Sequence, residues 1–173
     1  MSQILQKLKG GDLRSIGRAD EVVQDILNKP ALFAEVFDGM LDDDSCVRMR
    51  SADALEKVSV EHPEYLQPFK TRLIKEVAKI EQQEVRWHVT QMFSYIKVTD
   101  KERDDIMEIL GFYLNHEESN IVKVFSMQTM ADFAEKDKRL RPAVIKTIKK
   151  CMKTGSPAIV GRGEKLIRKL KGK

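Results

Sequence analysis

Apolar positions along this chain recur with a spacing close to 37 residues. The clearest anchors, separated by 38, 37 and 37 positions, are Val47, Val85, Val122 and Ile159. A second set of landmarks, separated by 38 and by twice 37 positions, is Pro30, Pro68 and Pro142. Because two independent sets of residues keep the same spacing, the sequence predicts an internal repeat.

Each anchor opens an apolar stripe that continues downstream. The residues eight positions after the anchors are Leu55, Phe93, Met130 and Ile167, and those eleven positions after are Val58, Ile96, Phe133 and Leu170. Offsets of 0, 4, 8 and 11 from each anchor lie on one face of a helix. The positions eleven residues before the anchors hold Val36, Ile74, Gly111 and Ile148. Each repeat is therefore predicted to contain two amphipathic helices, A and then B, joined by a short polar turn.

Turn residues indicate where the helices begin. The positions three residues before the anchors hold Asp44, Gln82, Ser119 and Ser156. Three of these four are residue types whose side-chain oxygen can cap a helix. The predicted helices lie near 31–42, 46–60, 65–80, 84–97, 101–114, 120–135, 140–153 and 157–171. The corresponding repeats, 30–67, 68–104, 105–141 and 142–173, are expected to form one structural domain.

The first 29 residues do not follow the repeat. Residues 18–28 predict one more helix, and an end repeat needs an atypical neighbour to cover its exposed side. We therefore expect residues 1–29 to form an N-terminal arm and capping helix, with a partly mobile arm over residues 1–11 as the alternative.

One stretch carries a family resemblance. Residues 41–55 read LDDDSCVRMRSADAL, in which an acidic turn is followed by Val-Arg, small residues and a leucine. This stretch resembles the core of a HEAT repeat, an armadillo-type helical repeat, and residues 83–86 and 120–123 look like the same turn. The fourth repeat departs from the pattern because it has Val160 in place of the basic residue and two glycines, Gly161 and Gly163, in helix B.

The resemblance implies an all-α fold, a right-handed α-solenoid of about four HEAT-like helix pairs. It also implies that charged side chains link neighbouring turns as an inter-repeat ladder. The positions that match this structural ladder are Asp44, Arg48, Arg86 and Lys123. The resemblance specifies a fold and leaves the function open.

Composition narrows the class of protein. Hydrophobic residues make up 42% of the 173 residues and charged residues 34%, which is typical of a globular chain. The longest apolar run has four residues, far below the roughly 20 that a membrane span needs. Cys46 and Cys151 form no CxxC pair, so reduced, buried thiols in a cytoplasmic protein are expected.

The second helices of such repeats usually line a concave binding groove. If offsets 0, 4, 8 and 11 face the core, offsets 2, 3, 6 and 10 face that groove. The predicted partner-binding residues are Met49, Arg50, Asp53, Lys57, Trp87, His88, Gln91, Tyr95, Phe125, Gln128 and Asp132. Large aromatic residues and arginine are common anchors of protein interfaces. The sequence thus favours a non-enzymatic scaffold that binds a protein or peptide, although Trp87 can equally be packed against a neighbouring helix.

Charge supports a second hypothesis. Residues 136–173 hold 14 basic and two acidic residues, whereas residues 1–135 hold 17 basic and 25 acidic residues. The candidate polyanion patch comprises Lys146, Lys149, Lys150, Arg162, Lys165, Arg168 and Lys169. One HEAT-like subfamily, the alkylpurine DNA glycosylases, grips DNA, so nucleic-acid binding is the alternative function.

Catalysis has the weakest support in the sequence. The three histidines, at positions 62, 88 and 116, lack the i+3 or i+4 spacing of metal ligands, so no metal and no cofactor are expected. His88 could act as an acid or base only if a carboxylate such as Asp53 met it. Phycobilin lyases also resemble HEAT repeats, and such an enzyme would have to use Cys46 or His88.

A monomer is the favoured oligomeric state of the chain.

Overall fold

The computed structural model describes residues 2–172, and within that range the chain is helical with no β-strand. The all-α class predicted from the sequence is confirmed. The α-helices are α1 Gln3–Gln6, α2 Ala19–Asn28, α3 Leu32–Gly39, α4 Ser45–Glu61, α5 Pro63–Leu66, α6 Lys70–Lys75, α7 Gln83–Tyr95, α8 Asp100–His116, α9 Asn120–Lys136, α10 Arg141–Thr154 and α11 Pro157–Leu170. None of the helices in residues 2–172 has both the length and the apolar character that a bilayer crossing demands.

The helix predicted over 65–80 is interrupted. Short 3-10 turns at Gln67–Phe69 and Val77–Lys79 flank α6, and α5 ends before the first of them. Pro68 explains the first break, because proline has no N–H to donate and its ring clashes with the preceding turn. The glycines of the fourth repeat do not interrupt its B helix, since α11 runs without a break from Pro157 to Leu170.

The chain forms two compact units, Met1–Lys97 and Val98–Lys173. In the first unit, α4 packs against α3 and α7, and the predicted B-helix stripes are buried in its core. The buried stripe residues are Val47, Leu55, Val58, Val85, Phe93 and Ile96. The N-terminal segment belongs to the same unit, because α1 packs on α3, α2 packs on α4, and Ile4, Leu5 and Leu8 are buried.

In the second unit, α9 packs against α8 and α11, and α10 packs against α11. Its buried stripe residues are Val122, Met130, Phe133, Ile159 and Leu170, while Ile167 is only half-buried. Gly163 lies against Met152, whose sulfur would be 2.6 Å from an added Cβ. This glycine therefore allows α10 and α11 to approach closely.

The helix caps differ from the predicted set. Asp44 caps α4, since its Oδ1 accepts hydrogen bonds from the amides of Cys46 at 2.8 Å and Val47 at 3.3 Å. Ser119 and Ser156 stand at the N-cap positions of α9 and α11, as predicted, but their side chains make no capping hydrogen bond. The local sequence showed residue types that can cap but could not fix the serine rotamer.

Gly111 and Gly39 have opposite surroundings and give a paired prediction. An added Cβ at Gly111, inside α8, meets nothing within 4 Å, whereas at Gly39 it would lie 2.7 Å from Leu5 Cδ2. Gly111→Ala is expected to stabilise the protein by about 1 kcal/mol, because alanine is the better helix former. Gly39→Ala is expected to destabilise it by roughly 1–3 kcal/mol through overpacking. Urea unfolding of both variants tests this pair, and shifts of the same sign would contradict it.

Candidate functional site

The first unit presents a partly exposed face where α4 and α7 meet. Trp87, Gln91 and Tyr95 follow one another at spacings of four along α7, so they form a stripe beside α4. Tyr95 reaches α4 and donates a hydrogen bond from its hydroxyl to Glu56 Oε1 at 2.6 Å. We call the partly exposed residues Lys57, Trp87, Gln91 and Tyr95 the α4–α7 face.

Lys57 is held in place by two carboxylates. Its Nζ donates to Asp20 Oδ1 at 2.7 Å and to Asp53 Oδ2 at 2.9 Å, which connects α2 to α4. Burial alone lowers the pKa of Lys57, but the hydrogen bonds to Asp20 and Asp53 outweigh burial and the net pKa is raised. Lys57 therefore stays charged and fixes the edge of the α4–α7 face.

His88 lies directly behind this face and is 93% buried in contact with two carboxylates of α4. Its Nε2 is 3.9 Å from Asp53 Oδ1, and its Nδ1 is 3.9 Å from Glu56 Oε2. Both distances exceed a hydrogen bond, and Nδ1 has no hydrogen-bond partner. Burial, followed by the positive charge of Lys57, lowers the pKa of His88 to about 3, so the imidazole is neutral near pH 7.

The pKa of the neighbouring Glu56 carboxyl group is raised, whereas the pKa of His88 is lowered. Burial raises the pKa of Glu56, and the hydrogen bond from Tyr95, which lowers it, only partly compensates. An efficient acid or base has a pKa near the working pH, and the depressed pKa of His88 makes it a poor base. His88 is therefore poorly suited to accept a proton near pH 7. Within residues 2–172, no group of three His, Cys, Asp or Glu side chains could hold a metal ion.

Arg50 is not on an exposed groove, which corrects its predicted place. It is 2% exposed and binds the backbone of the N-terminal loop. Its guanidinium donates to the carbonyls of Ser15 at 3.0 Å, Leu8 at 2.7 Å, Gly10 at 2.6 Å and Asp12 at 3.2 Å. The offset rule failed here because the N-terminal segment covers the outer side of α4.

Three other predicted groove residues are also buried. Met49, Asp53 and His88 are between 5% and 7% exposed, so a partner cannot reach them. The same N-terminal segment and the α4–α7 contact explain their burial, because α4 is covered by α2, α3 and α7. The accessible part of the predicted set in this unit is the α4–α7 face.

The ladder residues have separate roles in the structure. Arg48 Nε donates to Gln82 Oε1 at 2.8 Å, and its Nη1 donates to the carbonyls of Asp42 and Asp43. Gln82 in turn donates to the Ser45 carbonyl at 3.0 Å, so Arg48 and Gln82 join the turns that precede α4 and α7. Gln82 occupies the register of Asp44 in the next repeat. Asp44 instead caps its own helix, Arg86 donates to the Ile80 carbonyl, and Lys123 is partly exposed on α9.

In the second unit, Phe125, Gln128 and Asp132 lie on α9 and are partly exposed. Gln128 Nε2 donates to Asp132 Oδ1 at 2.7 Å. Cys151, on α10, is also partly exposed, and burial raises the pKa of its thiol. Cys46 in the first unit is likewise half-buried and is not part of a disulfide. The prediction that both thiols are buried is therefore wrong.

The basic residues of the second unit gather on α10 and α11. Lys146, Lys149, Lys150 and Lys153 are exposed, and their spacing places them on one face of α10. We call these four residues the lysine stripe. No acidic residue lies in α10. On α11, Lys165 and Arg168 are exposed, Arg162 is partly exposed, and Lys169 pairs with Glu135 at 2.8 Å.

A hollow lies beside the lysine stripe. It has a volume of about 250 Å³ and opens between α8, α9 and α10. Its mostly apolar lining includes Met107, Gly111, Leu114, Met130, Val144 and Cys151. The sequence carried a signal for it, because Gly111 stands where the other A helices bury Val36, Ile74 and Ile148.

Helix pairs that recur with one buried stripe and one polar turn define a helical-repeat protein. The chain belongs to the HEAT repeat domain family, whose family model matches residues 8–159. This confirms the resemblance seen in residues 41–55. No curated protein and no solved structure matches the chain.

Proposed function

We propose that this chain is a non-enzymatic interaction module that binds a peptide or protein segment through the α4–α7 face. Trp87 carries the proposal. It is partly exposed, and within residues 2–172 its indole N–H has no hydrogen-bond partner, although tryptophan usually pairs this donor when it is buried. A partner that covers Trp87 would gain apolar area and a hydrogen bond together.

The surroundings of Trp87 support the same proposal. Its ring lies 5.3 Å from the ring of His88, and His88 is wedged against α4. Tyr95 is tied to Glu56, and Lys57 is tied to Asp20 and Asp53. A surface whose side chains are already fixed loses little conformational entropy when a partner binds.

Truncation of Trp87 tests the proposal. Trp87→Ala is expected to weaken partner binding by about 2 kcal/mol, roughly thirtyfold, as is typical of a tryptophan hot spot. Affinity capture from the native host with wild type and Trp87→Ala identifies the proteins that depend on this residue. Phe112→Ala is the matched control, because Phe112 is an aromatic residue 49% exposed in the other unit.

The intrinsic fluorescence of the protein provides the second readout. Trp87 is the single tryptophan of the chain, so its emission reports on the α4–α7 face alone. Titration with a captured, tryptophan-free segment is expected to shift this emission to shorter wavelength as the indole leaves water. Identical captured proteins for wild type and Trp87→Ala, or binding without any change in emission, would refute the proposal.

A further inference from the structure

The lysine stripe is unusual because nothing within the described residues neutralises most of it. Lys146, Lys149 and Lys153 form no hydrogen bond or ion pair with residues 2–172, and Lys150 reaches only the amide oxygen of Asn115, at 3.3 Å. Like charges at spacings of three and four disfavour a helix. The stripe extends for about 10 Å along α10, given the rise per residue of a helix. The stripe is therefore an exposed row of positive charge that an anionic partner would neutralise.

The hollow at Gly111 adjoins the stripe. The four lysines line a shallow trough along α10. This trough and the hollow share three lining residues, Ala143, Thr147 and Lys150, so the two depressions are continuous. One part of this surface is cationic and the other is mostly apolar. A ligand that fills both needs negative charges next to a hydrophobic group.

The size of the hollow indicates what the hydrophobic group is. A cavity of about 150 Å³ lined by apolar side chains binds benzene. A volume of about 250 Å³ therefore accommodates one aromatic or branched aliphatic side chain with room to enter from solvent. The phosphate groups of duplex DNA would pair with the lysines but would leave the hollow empty, because the bases are stacked inside the helix. A bilayer surface would need a broad apolar area and not a single hollow.

We propose that the lysine stripe and the Gly111 hollow together bind an acidic peptide segment of a partner protein, with one large apolar side chain seated in the hollow. The carboxylates pair with the lysines, and the anchor side chain contacts Met107, Leu114 and Met130. This surface lies wholly in the second unit. It goes beyond the function proposed for the α4–α7 face, and either proposal can fail without the other.

Binding of labelled peptides to the full chain tests the proposal by fluorescence anisotropy. The probe is a short peptide of Asp, Glu and Ser with one central Phe, and its control replaces that Phe with Ala. The Phe peptide is expected to bind wild type about tenfold more tightly or better, because the ring leaves water in the hollow. Equal binding of the two peptides, or no binding of either at about 0.15 M salt, would overturn the proposal.

Protein variants separate the two parts of the surface. Gly111→Leu fills the hollow and is expected to remove the advantage of the Phe peptide while leaving the Ala peptide unaffected. Lys149→Glu with Lys153→Glu is expected to weaken both peptides at least tenfold, because pairing with the carboxylates is lost and repulsion replaces it. The control with the same change in net charge is Lys138→Glu with Lys171→Glu, because both lysines are exposed and lie outside the stripe and the predicted patch. This variant should bind both peptides as wild type does.

Two further probes separate acidic peptides from other polyanions. Duplex DNA and vesicles rich in phosphatidylserine are titrated under the same conditions. Either one binding wild type more tightly than the Phe peptide, with no effect of Gly111→Leu, would assign the stripe to a general polyanion and overturn the peptide proposal. Circular dichroism and thermal unfolding of each variant confirm that the fold is kept, and the comparison of Phe and Ala peptides on wild type needs no variant at all.

Discussion

Arg50→Met is expected to lower the free energy of unfolding by about 3 kcal/mol, because it removes a buried charge that satisfies backbone carbonyls. Four carbonyls of the N-terminal loop, from Leu8 to Ser15, accept hydrogen bonds from this one guanidinium. Without the guanidinium the carbonyls lose their hydrogen-bond donors. The loop is then expected to detach, because its carbonyls can form hydrogen bonds with water instead. Urea unfolding measures the loss of stability, and hydrogen exchange of the amides of residues 8–18 shows whether the loop opens.

The comparison variants make the expectation specific. Arg50→Lys keeps the charge but cannot reproduce the fork of guanidinium donors, so it should recover only part of the loss. Arg14→Met is the matched control, because the Arg14 side chain is 91% exposed, and it should change stability by no more than about 0.5 kcal/mol. Arg50→Met with wild-type stability and unchanged exchange in the loop would show that the guanidinium does not hold the N-terminal segment.

The repeat architecture could be predicted from the sequence because it rests on local periodicity. Val47, Val85, Val122 and Ile159 are each buried at the same register of a B helix, as the period of 37 or 38 residues indicated. The helices that cover this register differ from one B helix to the next, since α4 packs on α2, α3 and α7, whereas α9 packs on α8, α10 and α11. A helix whose apolar residues all lie on one face can bury them only by packing against a neighbouring helix.

The environment of Arg50 could not be predicted in the same way. Its partners are backbone carbonyls about 40 residues away, and a carbonyl has no side-chain identity to recognise in a sequence. The glycines were the available signal. Gly17 has φ +55°, and an added Cβ there would lie 2.9 Å from Arg50 Cζ. Gly11 has φ +75° and is also adjacent to the guanidinium. Both positions show that the loop closes around this side chain.

The α4–α7 face was predicted in part. The offsets of 2, 6 and 10 from the anchors predicted that Lys57, Trp87, Gln91 and Tyr95 face the same side of the helix layer, because that prediction needs only helix geometry. The helix offsets could not predict the hydrogen bond between Tyr95 of α7 and Glu56 of α4. Such a contact depends on how the two helices are aligned along their axes. The sequence makes acid–base chemistry at His88 conditional on a contact with a carboxylate such as Asp53. The structure brings the two together at 3.9 Å, and the burial that accompanies this contact makes His88 a weak base.

The buried imidazole of His88 is expected to make the protein lose stability as the pH falls below 6.5. Its pKa is about 3 in the folded protein against 6.5 as the ordinary value, so between these limits the unfolded chain takes up a proton that the folded chain refuses. The loss amounts to about 1.4 kcal/mol per pH unit for a single group. The charged groups facing it are Asp53, Glu56 and Lys57 of α4. The raised pKa of Glu56 acts in the opposite direction, because its folded form gains a proton more readily than its unfolded form.

Urea unfolding at pH 7, 6 and 5 measures this dependence in wild type and His88→Gln. The stability of wild type should fall by roughly 2 kcal/mol more between pH 7 and pH 5 than that of His88→Gln, since glutamine does not titrate. His116→Gln removes an exposed imidazole and should keep the wild-type slope, because the effect requires burial. If His88→Gln retained that slope, the imidazole would have to be protonated in the folded protein as well. The two carboxylates 3.9 Å away would then outweigh burial, and His88 would join Lys57 as a second fixed cation behind the α4–α7 face.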